Sequence, residues 1–237
     1  MAKQSQHLLR WLPLIILATG LFLFFYFRLF DYLTFTELAK QRLTLAQWTD
    51  QHYMLTVLGF MAVYILAVAF SFPGATILTL AGGFLFGVTL GTVYVVVAAT
   101  TGAAIIFIAV KTSLGKMFAK KSTKWLKKLE QGFADDAFNY LLVLRFVPIF
   151  PFWVINIAAG LLGVRLRTFV LATFMGIIPG SLVYVAVGSG LDAIFEHGKT
   201  PDLSIIFQPS IILPLLGLSL LSLVPVIYKK IKAKKHA

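Results

Sequence analysis

Arg145 is the residue whose surroundings most demand chemistry. It stands in Leu141-Leu-Val-Leu-Arg-Phe-Val-Pro-Ile-Phe-Pro-Phe152, apolar on both sides. Placing a guanidinium in hydrocarbon costs about 2.5–3.5 kcal/mol on insertion scales, so it needs a partner. A phosphate, the carbonyls of a broken helix or a carboxylate would each serve. Its planar fork matches phosphate in a bidentate way; a purely structural role would tie one segment to the carbonyl ends of another. Pro148 and Pro151 remove backbone donors and force a turn beside it. Asn156 brings two donors and an acceptor, for a head group or for freed backbone. A second broken segment, Ser71 to Gly87, carries Pro73-Gly74 and Gly82, as the first carries Gly160. Arg165 and Arg167 follow the Arg145 segment, as interfacial anchors or as a lure for anionic lipid heads. These ten residues form the expected substrate-binding set.

Enzyme chemistry has no foothold. Neither His-Glu-x-x-His nor Gly-x-Ser-x-Gly occurs. His7, His52, His197 and His236 lie outside the apolar runs, and there is no cysteine. No catalytic residue, metal or cofactor is therefore expected. Asp and Glu sit only in connecting regions, which argues against proton coupling through a buried carboxylate relay. Thr76, Thr79, Thr100, Thr101 and Thr173 are intramembrane hydroxyls expected mostly to bond back to their own helix.

The elements that must position these groups are apolar helices. Hydrophobic residues make up 59% of the chain and charged residues 13%, with a mean hydropathy of +0.89. Soluble domains run at roughly 45–50% and 25%, so the chain is a membrane protein. The formal charge of +12 does not point to nucleic acid, because the lysines cluster at the ends of apolar runs. Five runs read as crossing helices: Trp11–Phe30, Tyr53–Phe70, Val88–Val110, Thr168–Val187 (broken at Pro179-Gly180) and Ile205–Tyr228. The first could be mistaken for a signal peptide, but no small-residue cleavage site follows it. Residues 31–52 read as an interfacial helix or loop. Ser71–Gly87 and Tyr140–Gly163 read as re-entrant hairpins, tolerated where buried in protein or lining a wet cavity. Gly83, Gly87 and Gly91 form a small-residue stripe for close helix approach. Residues 111–137 interleave lysines with apolar residues at helical spacing, as a basic amphipathic helix on the membrane surface or a solvated loop helix with a packed face.

The expected fold is thus all-α, with about five transmembrane helices, two re-entrant hairpins and that basic helix. Residues 1–50 form an N-terminal helix and interfacial segment, 51–190 the core, and 191–237 a last helix with a basic tail. Lysines at 111–128 and at the C-terminus place both in the cytoplasm, and counting back puts the N-terminus outside. The two hairpins resemble each other at a constant offset. Phe72-Pro73, Ala81-Gly82 and Gly102 stand 78 positions before Phe150-Pro151, Ala159-Gly160 and Gly180. With one span between them they should enter from opposite faces, an inverted-repeat plan with a substrate site near the midplane.

The core resembles the DedA superfamily, also called SNARE-associated Golgi or VTT-domain proteins, most closely its bacterial Tvp-type branch. Three motifs carry the resemblance across about residues 50–190. They are Phe72-Pro-Gly74 with Leu78-Thr-Leu-Ala-Gly-Gly83 and Phe86-Gly87; Arg145-Phe-Val-Pro148 through Phe150-Pro-Phe152 and Asn156-Ile-Ala-Ala-Gly160; and Pro179-Gly180 through Tyr184 and Gly188. The resemblance implies paired re-entrant hairpins, movement of lipids between leaflets, and a required arginine at Arg145. The acids that DedA members carry near the first hairpin are missing from Ser71–Gly87, so proton-driven transport is not implied. The expected function is passage of an anionic, phosphate-bearing lipid across the cell inner (plasma) membrane. Membrane lipids are the expected partners. The alternatives are a transporter of a small solute or ion, and a non-transporting organiser of the membrane.

Overall fold

The computed structural model describes residues 2–28, 31, 34–72, 74–114, 136–147, 149–196 and 201–235. Among them every regular element is helical: α1 (Ala2–Tyr26), α2 (Phe35–Gln51), α3 (Tyr53–Ala69), α4 (Ala75–Ser113), α5 (136–146), α6 (Phe152–Leu161), α7 (Leu166–Ser189), α8 (Leu191–Glu196), a 3-10 turn (Leu203–Phe207) and α9 (Pro209–Lys235). Three of these are long and apolar enough to cross a membrane: Ala75–Ser113, Leu166–Ser189 and Pro209–Val226. Shorter apolar helices stand beside them at Trp11–Tyr26, Tyr53–Ala69 and Phe152–Leu161. The interfacial segment is helical, with Thr34 Oγ1 accepting from the Glu37 N–H at its start. The expected amphipathic surface helix lies mostly outside the described residues; Lys111 belongs to the last turn of α4.

Helix α4 is two helices joined at Gly87, which has φ +70° and ψ −178°. Only glycine adopts that conformation freely. The chain reverses there. A Cβ on Gly91 would stand 2.6 Å from the Gly82 carbonyl, and one on Gly82 would stand 2.9 Å from Val95. In a straight helix Gly82 and Val95 would be about 20 Å apart. Gly87 is therefore not one member of a packing stripe with Gly83 and Gly91 but the turn that lets those two make close contacts.

The arm Ala75–Phe86 also runs back along α3. Tyr64 meets Thr79, and Tyr53 and Phe60 pack their rings on Phe86. The chain thus turns after Phe70 and returns along α3, a 17-residue apolar helix, to the end where α3 began. Ser71 (φ +58°) and Gly74 (φ +119°) make that turn. The second half of the core repeats the order. Helix α5 ends at 146, α6 folds back from Phe152, Gly163 (φ +74°) turns the chain, and α7 follows. Lys111 Nζ donates to the Val164 carbonyl, which places this return at the far end of α4. The two hairpins therefore open toward opposite ends of the bundle.

Each short arm packs on the long helix of the other half. Gly83 lies against the Val185 backbone and Gly188 against that of Leu80, so close that a Cβ on either would overlap the facing carbonyl. Gly160 lies against the Phe107 carbonyl and Val110. Between these contacts α4 and α7 run antiparallel, with Phe107 and Phe169 stacked at 4.3 Å and Gly91 facing Val185. Helix α7 continues through Pro179 without the expected break. One proline deletes one N–H bond, and the packing on α4 holds the rest of the helix in line. The last expected span starts later than Ile205, because 203–207 form the 3-10 turn and α9 begins at Pro209. Helix α1 caps the first turn, stacking Phe24 on Phe72 at 3.9 Å and seating Gly20 against Phe70.

Candidate functional site

A cavity of about 310 Å³ opens between the two hairpin turns. Tyr64, Ala75, Thr76 and Thr79 of the first hairpin form one wall. Arg145, Phe150 and Phe152 of the second hairpin form the other. Ala99, Gly180, Ser181 and Tyr184 close it from near the middles of the long helices. The cavity therefore sits halfway along the bundle.

Arg145 is anchored in this wall by three acceptors. Its Nη2 donates to Asn156 Oδ1 at 2.6 Å and to Thr173 Oγ1 at 3.0 Å, and its Nη1 approaches the Phe152 carbonyl at 3.5 Å. The guanidinium carbon lies 4.3 Å from the centre of the Phe152 ring and 5.7 Å from that of Phe169. Cation–π contact offsets part of its lost hydration. No carboxylate among the described residues pairs with it. The sequence sharpens this: no Asp or Glu occurs anywhere in 51–129 or 137–191. Two buried donors remain without partners here, Arg145 Nε and Asn156 Nδ2. Asn156 itself is fully buried. Unpaired buried donors are costly; Asn156 lies behind the cavity wall and does not line it.

On the opposite wall Thr79 Oγ1 lies 2.8 Å from the Ala75 carbonyl and 2.8 Å from the Tyr64 hydroxyl. Thr79 has a single hydroxyl proton, and the carbonyl can only accept. Tyr64 must therefore donate to Thr79.

The expected site residues divide into groups. Arg145 and Asn156 are brought together. Pro73 and Pro148 lie outside the described residues. Gly74 shapes the first turn beside Ala75, and Pro151, exposed, caps the start of α6. Gly82 and Gly160 do not line the cavity; they are helix-contact positions, with Phe60 and Val95 on one and Phe107 and Val110 on the other. Arg165 and Arg167 stand exposed at the start of α7, near the Lys111 end. They are more than a helical turn from Thr173 and belong to the rim of the bundle.

Two participants are visible only in three dimensions. Thr173 does not bond back to its own helix but accepts from Arg145. Tyr64 lies in a plain apolar run whose sequence signals nothing polar beyond the tyrosine itself.

A family model described as the VTT domain matches residues 72–190, half of the chain and both hairpin turns. The chain belongs to the VTT-domain family. Relatives of this VTT protein include the Transmembrane protein 41 homolog of Caenorhabditis elegans, 33% identical over 78% of this chain and 74% of its own length. The Dictyostelium discoideum homolog is 35% identical over 79% of this chain, and Transmembrane protein 41B of Homo sapiens 29% over 80%. Those two matches cover 56% and 65% of the relatives' own lengths, less than two thirds of either. No solved structure matches. Family, hydropathy and helices together make this a VTT-family membrane protein.

Proposed function

We propose that this VTT protein moves an anionic, phosphate-bearing lipid between leaflets, with the headgroup passing through the mid-bundle cavity and the tails staying in the bilayer. One observation carries the reading. A half-buried cation with no carboxylate partner among the described residues lines a cavity between two chain reversals. A volume of about 310 Å³ suits a headgroup and not a whole lipid. In this reading both hairpins are re-entrant, and the crossing segments are Val88–Ser113, α7 and α9, with α1 beside them. The Lys111 end and the C-terminal lysines face the cytoplasm of an inner (plasma) membrane. Helix α7 leads away from that end, and in this reading α9 crosses back, so that the two lysine groups share a side. Without an interior acid, movement is passive. Placement in a bacterial Tvp-type branch belongs to the same proposal.

A second reading has its own support. Three protein acceptors already hold Arg145, as a clasp in a non-transporting scaffold would require. Purified protein in liposomes with a fluorescent anionic phospholipid separates the two. Transport predicts bleaching of inner-leaflet probe well above protein-free vesicles. It also predicts a rate at least roughly tenfold lower for Arg145→Ala, the equivalent of about 1.4 kcal/mol of barrier. Equal rates for protein-containing and empty vesicles would leave the scaffold.

A further inference from the structure

The two cavity walls offer a ligand different things. The Arg145 wall offers positive charge. The opposite wall offers acceptors. Because Thr79 uses its proton on the Ala75 carbonyl, the Tyr64 proton goes to Thr79, and the Tyr64 oxygen keeps lone pairs without a donor. Tyr184 repeats the arrangement, its hydroxyl donating to the Leu203 carbonyl at 3.4 Å while its oxygen stays able to accept. Thr76 and Ser181 add hydroxyls on the same cavity. A phosphate suits the first wall and a neutral hydroxyl donor the second. An ammonium could donate to the same acceptors, but no Asp or Glu in 51–129 or 137–191 balances its charge. It would leave its hydration shell for a cavity whose charge is already positive.

We infer that the cavity selects a net-anionic headgroup bearing free hydroxyls, with Tyr64 as the residue that reads a hydroxyl while Arg145 faces the phosphate. This rests on the lipid-transport reading and narrows it to a headgroup class: polyol phosphodiesters over zwitterionic amines and over anionic esters without hydroxyls. The first hairpin, which carries no charge, thereby acquires a part in specificity.

The test uses full-length protein in phosphatidylcholine liposomes with a trace of tail-labelled probe. Three probes are compared: phosphatidylglycerol, with two hydroxyls; phosphatidylmethanol, of equal charge and none; and phosphatidylethanolamine, with an ammonium. The native protein moves phosphatidylglycerol roughly tenfold faster than either other probe, the ratio expected from about one good hydrogen bond. Tyr64→Phe brings the ratio of phosphatidylglycerol to phosphatidylmethanol rates close to one, with a native elution profile in detergent. Equal native rates for those two probes, or a Tyr64→Phe protein that keeps the ratio, overturns the selection and leaves lipid transport standing. Faster movement of phosphatidylethanolamine also overturns it. No movement of any probe by the native protein overturns transport itself.

Discussion

The two halves of the core share a plan and differ in chemistry. Arg145, Asn156 and Thr173 of the second half stand 78 positions after Ala67, Leu78 and Val95, all buried and apolar. Tyr64 and Thr79 of the first half stand 78 positions before Leu142 and Ile157. Each polar group thus has a hydrocarbon where its counterpart would be. The backbone scheme of helix, turn, short arm, glycine turn and long helix holds without any of these groups. The Arg145 cluster is then an addition to a shared backbone plan, and the cavity is left with a charged wall and a neutral one.

That contrast can be broken most severely where the halves meet. Gly83→Leu pushes a side chain into the Val185 backbone, which cannot yield. Overpacking of this kind costs about 1–3 kcal/mol and often more. The expected outcome is loss of the monodisperse peak in detergent gel filtration, with Gly188→Leu behaving alike. Next comes the Arg145 cluster. Asn156→Leu removes the shortest of its hydrogen bonds and should lower stability by about 1.5–3 kcal/mol, read as a drop in the thermal unfolding midpoint. Restoring the pattern of the first half with Arg145→Ala, Asn156→Leu and Thr173→Val together should recover most of that loss, since a buried charge and its partners can be replaced by apolar groups at little cost. A triple variant less stable than Asn156→Leu alone would show that the cluster holds the fold.

Smaller effects sharpen the neutral wall. Tyr64→Phe deletes one hydrogen bond while Thr79 keeps its bond to Ala75, so the unfolding free energy should fall by about 1 kcal/mol. Smallest is Asp202, outside the spans, where the Ser204 hydroxyl and N–H hold its carboxyl below the ordinary carboxylate range. A depressed folded-state pKa gives stability that is present above the unfolded value, near 4, and is lost as pH falls through the folded one. The loss should be slight because the group is exposed, and Asp202→Asn should remove that part of the acid dependence.

Which features could be read from the chain follows from how local their causes are. The breaks near Pro73 and Pro151 announce themselves, because proline and glycine act on their own backbone. So does Arg145, whose charge is conspicuous among Leu and Phe. Gly87 was harder: a glycine that turns the chain and one that admits a neighbouring helix look the same in sequence. Pro179 shows the converse, a breaker overruled by packing between α4 and α7. Thr173 and Tyr64 depend on which helix faces which, so their partners are set by tertiary register and not by neighbours in the chain.

The most direct test of the central claim is lipid translocation by the Arg145→Ala, Asn156→Leu, Thr173→Val protein, reconstituted after its unfolding midpoint is matched to the native one. With an intact scaffold and no interior cation, translocation of phosphatidylglycerol should fall to the rate of protein-free liposomes. A rate equal to that of the native protein would contradict the account.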